Sequence, residues 1–210
     1  MKTVLLHPMY FGSIAQYAAM AQNDTVIFED YDNYQKQTYR NRTYIYGANG
    51  KLLLTIPIKH TGKHSNGKQL YRDVRIENEF QWQSLHWKSI QTAYRTSPFF
   101  EYYEDELIPL FEKKKDYLLD FNYECMEAVN DCLQLEADYS KTTAFLKEYG
   151  DDLNDQRALV NAKKDKHHAL SSYIQVFSEK HGFISNLSIL DLLFNEGTNA
   201  ITYLENQMIY

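Results

Sequence analysis

Cysteine is nearly absent: the 210 residues hold two, Cys125 and Cys132. Leu118, Phe121, Cys125, Val129 and Cys132 keep the three-to-four spacing of one helical face. Seven helical residues separate two Cα atoms by roughly 10 Å, beyond disulfide reach. Two reduced core thiols are expected, and a disulfide scaffold is excluded. Long apolar runs are missing as well. The opening run Val4-Leu5-Leu6 stops at His7-Pro8, too short for a secretory leader. Nothing later approaches the about 18 apolar residues of a membrane span. A soluble, cytoplasmic protein without a membrane partner is expected. Positive charge is in deficit: 22 Lys and Arg against 28 Asp and Glu leave a net charge of -6. Phosphate neutralisation needs a surplus of cations, so a nucleic-acid partner is not expected.

Common site signatures are also missing. Gly47-Ala-Asn-Gly50-Lys51 is too short for a phosphate-binding P-loop and runs into Leu52. Neither a dinucleotide fingerprint nor a nucleophile-elbow motif occurs. His60 and His64 are four apart, but Gly62 between them argues against a shared helix face, and no Cys or acidic partner is near. The sequence therefore predicts no metal and no cofactor.

What the chain has in excess is aromatic side chains, 15% of residues, with 18 Tyr against 11 Phe and 2 Trp. Many rings thus carry a hydroxyl that needs a partner when buried. Thr3 to Leu6 and Thr25 to Phe28 are continuous apolar runs. Between them Ile14, Tyr17, Ala18 and Ala21 share one helical face. Strand, helix and strand within about thirty residues predict a parallel βαβ unit with a right-handed crossover. Asn49-Gly50 between Arg42 to Tyr46 and Leu52 to Ile56 predicts a hairpin. Residues 59–69 form a basic loop, with Lys59, Lys63 and Lys68. Alternation over Leu70 to Ile76 predicts a strand with one wetter face.

From Gln81 the pattern turns helical. Trp82, His86, Ile90 and Tyr94 recur every four residues, and Ser97-Pro98 interrupts. Pro109 kinks or splits the stretch Phe99 to Lys115. Tyr117 to Leu135 is a helix, Thr142 to Phe145 a short strand, and Gly150 to Lys166 has charge without period. Ser171 to Phe177 and Ile189 to Phe194 read as helices, with Gly197 as a C-cap. The fold class expected is α/β. It has a Rossmann-like βαβ start, a β-hairpin extension and a helical C-terminal half, all in one domain over 1–210. The sheet lies in 1–77, and 78–210 is mainly helical.

Ligands collect at the carboxyl ends of parallel strands. Here the first strand ends in His7, with Tyr10 nearby, and the second in Glu29-Asp30, with Asp32 beyond. An imidazole beside carboxylates can act as a general base. The plainer alternative is that these residues cap strands and turns. A second candidate is Arg40-Asn41-Arg42, where an inward Arg could hold a phosphate or carboxylate, or else pair with Asp30 or Asp32. A third is the stripe with His86 and Tyr94, weighed against core packing. Lys163 to His168 reads as a solvated face, with a weak anion site as runner-up.

The segments Leu6 to Phe11, Thr25 to Asp30, Tyr39 to Arg42, Leu54 to Pro57, Trp87 to Tyr94, Ser97 to Phe100 and Asn186 to Gly197, in this order and spacing, resemble the WbqC-like protein family. The family's usual His-Gln-Pro is here His7-Pro8, and Gly12-Ser13 stand where a Trp is common. The resemblance implies a role in bacterial surface-polysaccharide or O-antigen biosynthesis. It also implies a transferase acting on free or nucleotide-linked amino sugars, of aminoacyl or acyl type. Its matching positions include His7, Tyr10, Asp30, Asn41, Arg42, Tyr94, Asp191 and Asn195. The expected catalytic residues are His7 as base, with Asp30 or Asp32 orienting it or holding the amine. Tyr10, Asn41, Arg42, His86, Tyr94, Asp191 and Asn195 are the expected substrate-binding set, with Arg42 and the basic loop on a pyrophosphate. Tyr31, Tyr34, Tyr39, Tyr44 and Tyr46 are expected to line the cleft. The expected partner is a small amino sugar or nucleotide sugar, and a homodimer is kept open. The rival reading is a non-catalytic sugar- or nucleotide-binding protein, or a partner subunit of a polysaccharide-synthesis complex.

Overall fold

The apolar run Thr3–Leu6 forms β1, and its residues beyond Thr3 are buried. In the computed structural model, which describes residues 2–59, 69–136, 138–150, 152–164 and 168–209, β1 lies at the centre of a four-stranded sheet. Ser13 caps the next helix, α1 (Ile14–Ala21), by accepting from the Gln16 N–H. The chain returns as β2 (Thr25–Phe28), parallel to β1 with Thr3 opposite Thr25 and Leu6 opposite Phe28. The predicted βαβ unit is therefore present.

The sheet is completed from far along the chain, not within the first third. β5 (Asp138–Lys141) pairs with β2, and β6 (Leu153–Asp155) pairs with β1, both parallel. The strand order is β5-β2-β1-β6. All four residues of β5 are exposed, and β6 reads Leu-Asn-Asp. Polar edge strands discourage edge-to-edge pairing, and for the same reason they carry no apolar signal. The predicted strand Thr142 to Phe145 is displaced: Thr142 N–H still donates to the Phe28 carbonyl, and the chain then leaves the sheet.

The predicted hairpin is β3 (Arg42–Gly47) and β4 (Gly50–Thr55), antiparallel with Gly47 opposite Gly50. Gly50 takes a φ of +97° there, a conformation glycine adopts at little cost. The predicted strand Leu70 to Ile76 is instead a 3-10 turn over Tyr71–Asp73 with isolated bridges on either side. Tyr71 and Val74 are both fully buried, and their spacing of three is the period of that turn.

Four helices follow: α2 (Trp82–Tyr94), α3 (Phe100–Leu107), α4 (Pro109–Glu112) and α5 (Leu118–Leu133). Pro109 opens α4 at a position where its missing N–H costs nothing. Cys125 and Cys132 are free thiols, the first buried and the second half-buried. Ser171 to Phe177 is not helical. Tyr173 and Gln175 turn inward while Ile174 is 83% exposed, an alternation of extended chain. Only α6 (Ser178–His181) coils in this strap. α7 (Ile189–Glu196) starts on Ser188 and ends on Gly197, and α8 (Ala200–Glu205) closes the chain against α1. Buried side chains from Val4 to Leu204 join in one cluster. Among the described residues no helix is long and apolar enough to cross a membrane.

Gly197 has a φ of +55°, and a Cβ there would lie 2.6 Å from the Phe99 ring. Gly197→Ala is expected to destabilise the protein by about 2–3 kcal/mol through backbone strain and overpacking. Urea unfolding would show it as a lower midpoint with an unchanged slope.

Candidate functional site

The strand order fixes where a site can form. From β1 the chain steps to β2 and then β5 on one side, and later to β6 on the other. The crevice at the carboxyl ends of β1 and β6 is thus a topological switch point, where open parallel sheets bind ligands. A cleft of about 210 Å³ lies there, lined by His7, Asp32, Gln35, Arg40, Phe145, Arg157, Ala158, Val160 and Asn161. A wider groove of about 710 Å³ runs past Lys2, Thr3, Asn23 and Leu153 at the amino ends, away from the switch point.

His7 is the first residue after β1. Its carbonyl accepts from Gln16 Nε2 at 2.9 Å, and the next carbonyl, of Pro8, accepts from the Tyr71 hydroxyl at 2.9 Å. Gly12 permits this, since a Cβ there would collide with the Gln16 amide. The buried imidazole edge meets two charged groups through Nε2, which lies 3.3 Å from Asp32 Oδ2 and 3.0 Å from Arg40 Nη2. Arg40 Nη2 also donates to Asp32 Oδ2 at 2.8 Å, and Asp32 Oδ1 accepts from the Asn33 N–H at 2.7 Å.

Arg40 is 0% exposed. Among the described residues its Nε and Nη1 have no hydrogen-bond partner, but its Cζ sits 5.3 Å from the Tyr71 ring centroid, a favourable seat for a cation. Asn122 braces the same point, donating to the Arg40 carbonyl and the Tyr71 hydroxyl. Burial first, and then the Arg40 charge, lower the pKa of His7 to about 4. At neutral pH it is an uncharged imidazole. Burial pushes Asp32 up, but hydrogen bonding to His7 and the nearby positive charges outweigh this, and its carboxyl lies below the usual range.

Arg157, two residues past β6, walls the cleft. Its Nε and Nη2 grip Asp155 at 2.9 and 2.6 Å. Nη1 reaches the buried Glu29 at 3.5 Å and the Leu146 carbonyl at 2.8 Å, and Nη2 the Lys147 carbonyl at 3.1 Å. All five N–H groups are committed inside the protein, so Arg157 is a strut.

The expected site residues divide into separate groups. His7 and Asp32 meet, and the alternative of an Arg paired with Asp32 holds for Arg40. Asp30 does not reach His7: its carboxylate accepts from the Tyr123 hydroxyl, and burial raises its pKa. Arg42 sits half-buried on β3 opposite Thr55, outside the cleft's described lining. Asn41 is used by the hairpin, its Nδ2 donating to the Ile56 carbonyl. The Tyr10 hydroxyl and His86 Nδ1 pair at 2.9 Å within the core against Trp82 and Phe121. Tyr94, Asp191 and Asn195 belong to another cluster. The buried Asp191 carboxylate accepts from Tyr94, Tyr173 and Gln175, and Asn195 donates to the Asp191 carbonyl.

The five tyrosines do not gather round the cleft. Tyr39 and Tyr44 pack edge to face, Tyr46 donates to the Phe177 and Gly182 carbonyls, Tyr31 lies under Arg72, and Tyr34 lies beside Tyr71. The aromatic ring lining the cleft is Phe145. The basic loop falls on residues 60–68, outside the described residues, as do 165–167 of the later basic run. Among the described residues no group of three His, Cys, Asp or Glu is placed to hold a metal. Sequence reasoning missed Arg157, Phe145, Gln35 and Asn161 as cleft residues. For Arg157 and Asn161 the cue lay in the charge of the stretch from Gly150; Gln35 and Phe145 carried none.

His7 and His86 both titrate near 4 in the folded protein and near 6.5 when unfolded. Between those values the unfolded chain binds more protons, so stability is full above about 6.5 and is lost as pH falls toward 4. The loss is on the order of 3 kcal/mol per histidine. Burial raises Asp30 and Asp191, which acts in the opposite sense. The histidine share is therefore the difference between wild type and His7→Gln/His86→Gln in urea midpoints from pH 7 to pH 4. The variant is expected to show the flatter profile, and equal profiles would contradict it. Separately, Arg40→Met strands Asp32 and is expected to cost about 3 kcal/mol or more, with Arg40→Met/Asp32→Asn recovering part of it.

Comparison with known proteins reaches the level of family. The chain is 23% identical, over 97% of its own length and 97% of the other's, to the uncharacterized protein Rv1507c of Mycobacterium tuberculosis. No solved structure matches it. The WbqC-like protein family matches residues 7–172, a span that holds His7, Asp32, Arg40 and Arg157 together, and the chain belongs to that family.

Proposed function

We propose that the chain is a transferase in which His7 is the general base for acylation of an amine on a small sugar, free or nucleotide-linked, in bacterial surface-polysaccharide synthesis. The observation that carries this is the uncharged His7, held by Asp32 and Arg40 at the switch-point cleft. In the tautomer whose Nε2–H faces Asp32, Arg40 holds the ring as a neighbouring charge and not as a donor to Nε2, and the lone pair lies on Nδ1, 3.4 Å from Arg40 Nη2. The substrate nitrogen bonds to the acyl carbon, and the proton it carries then becomes strongly acidic. An imidazole with pKa near 4 suffices to accept that proton. The leaving group departs as the carbonyl re-forms, and the proton passes from His7 to it or to water. Asp32 orients the ring, and Arg40 keeps Asp32 ionised. A purely sugar-binding protein has no need of a neutral imidazole locked to a buried ion pair, which favours the enzymatic reading over its rival.

A thermal-shift screen of nucleotide amino sugars and acyl donors would select substrates, since a ligand of the folded state raises its apparent stability. Mass spectrometry of the N-acylated sugar then measures turnover. His7→Ala is expected to lower it by about 10²–10⁴-fold while ligand binding persists, and Asp32→Asn to lower it through loss of the ring's orientation. A His7→Ala protein as fast as wild type would remove His7 from the reaction.

A further inference from the structure

We propose that Phe145 is the platform on which the pyranose ring of the substrate stacks, making it a specificity-determining residue of the His7 cleft. The inference rests on the transferase reading and adds the ring-binding subsite to it.

Phe145 is a large apolar side chain left 42% exposed, yet it does not stand loosely. It follows β5 and rims the same cleft as His7 and Asp32. The Arg157 guanidinium lies 5.4 Å from its ring centroid and 5.1 Å from that of Tyr149. The same guanidinium donates to the carbonyls of Leu146 and Lys147 and is itself clamped by Asp155. The backbone beside Phe145 is therefore fixed by hydrogen bonds while its ring stays accessible. An exposed aromatic, rigidly placed at a small cleft, is suited to a flat apolar ligand face. Around it stand amide and carboxylate side chains, Gln35, Asn161 and Asp32, the groups that pair with sugar hydroxyls.

The transferase reading decides between a sugar ring and a nucleobase. At about 210 Å³ it holds one ring beside His7. The reacting amine is borne by the pyranose, so the ring that shares the cleft with His7 is the pyranose. A base two phosphates and a ribose away would lie outside it.

The test is saturation-transfer NMR titration of the full chain with two probes, glucosamine and uridine monophosphate. Phe145→Ala is expected to weaken glucosamine binding roughly tenfold and leave the nucleotide unchanged, and Phe145→Trp to restore the sugar. Thermal midpoints of both variants report any general loss of fold. Sugar affinity untouched by Phe145→Ala would overturn the proposal, as would loss of nucleotide binding alone or a wild type that does not bind glucosamine. Phe145→Trp failing to rescue a Phe145→Ala that has lost its thermal midpoint would overturn it too, by marking the ring as structural. The His7→Ala turnover comparison is read independently, so the stacking proposal can fail while the transferase reading stands.

Discussion

The ion pair between Arg40 and Asp32 is the constraint on which the site depends. A guanidinium removed wholly from water must find a carboxylate, or the desolvation is uncompensated. The carboxylate it finds is four residues past the end of β2, and Arg40 itself lies two residues before β3. Bringing them within 2.8 Å draws the intervening polar segment back to His7 at the carboxyl end of β1. The same charge faces His7 and helps to deny it a proton. One interaction thus sets a chain path, an ionisation state and the floor of a cleft.

A second buried carboxylate, Asp191, is handled differently. Among the described residues it has no cationic partner. Tyr94, Tyr173 and Gln175 supply its hydrogen bonds, and it lies in the first turn of α7, where the helix dipole favours negative charge. Tyr94 in turn accepts from the Tyr46 N–H of β3. The cluster therefore fastens hairpin, strap and two helices to one point. The shared burial of Asp32 and Asp191 hides a division of labour: one borders a cleft, the other is sealed.

Much of this was legible from residue order because the deciding signals were local. β1, α1 and β2 follow from apolar runs and spacing, and Asn49-Gly50 places the hairpin. His7 and Asp32 could be joined because both follow strands that had to be neighbours. The failures share a physical cause. β5 and β6 are polar edges, so no apolar period marks them, and without β6 the switch point and Arg157 could not be located. Choosing Arg42 over Arg40 turned on which side chain was buried, a property of the tertiary packing. Tyr94 lies within the residues the family matches, as His7 does, while Asp191 and Asn195 lie beyond them, and resemblance does not distinguish a sealed polar knot from a cleft.

The late position of the two outer strands has a consequence for how the protein comes to exist on the ribosome. A nascent chain that has emerged as far as Glu136 already carries His7, Asp32 and Arg40, but neither outer strand of the sheet nor the wall of the cleft. Its two central strands must wait with open edges until residues 138–155 pair with them, closures of more than a hundred residues in sequence. Such long-range parallel pairing is slow and leaves unpaired strands exposed to association in the meantime. The polar composition of the latecomers suits them to end the sheet, and their arrival is what converts three residues in proximity into a binding site.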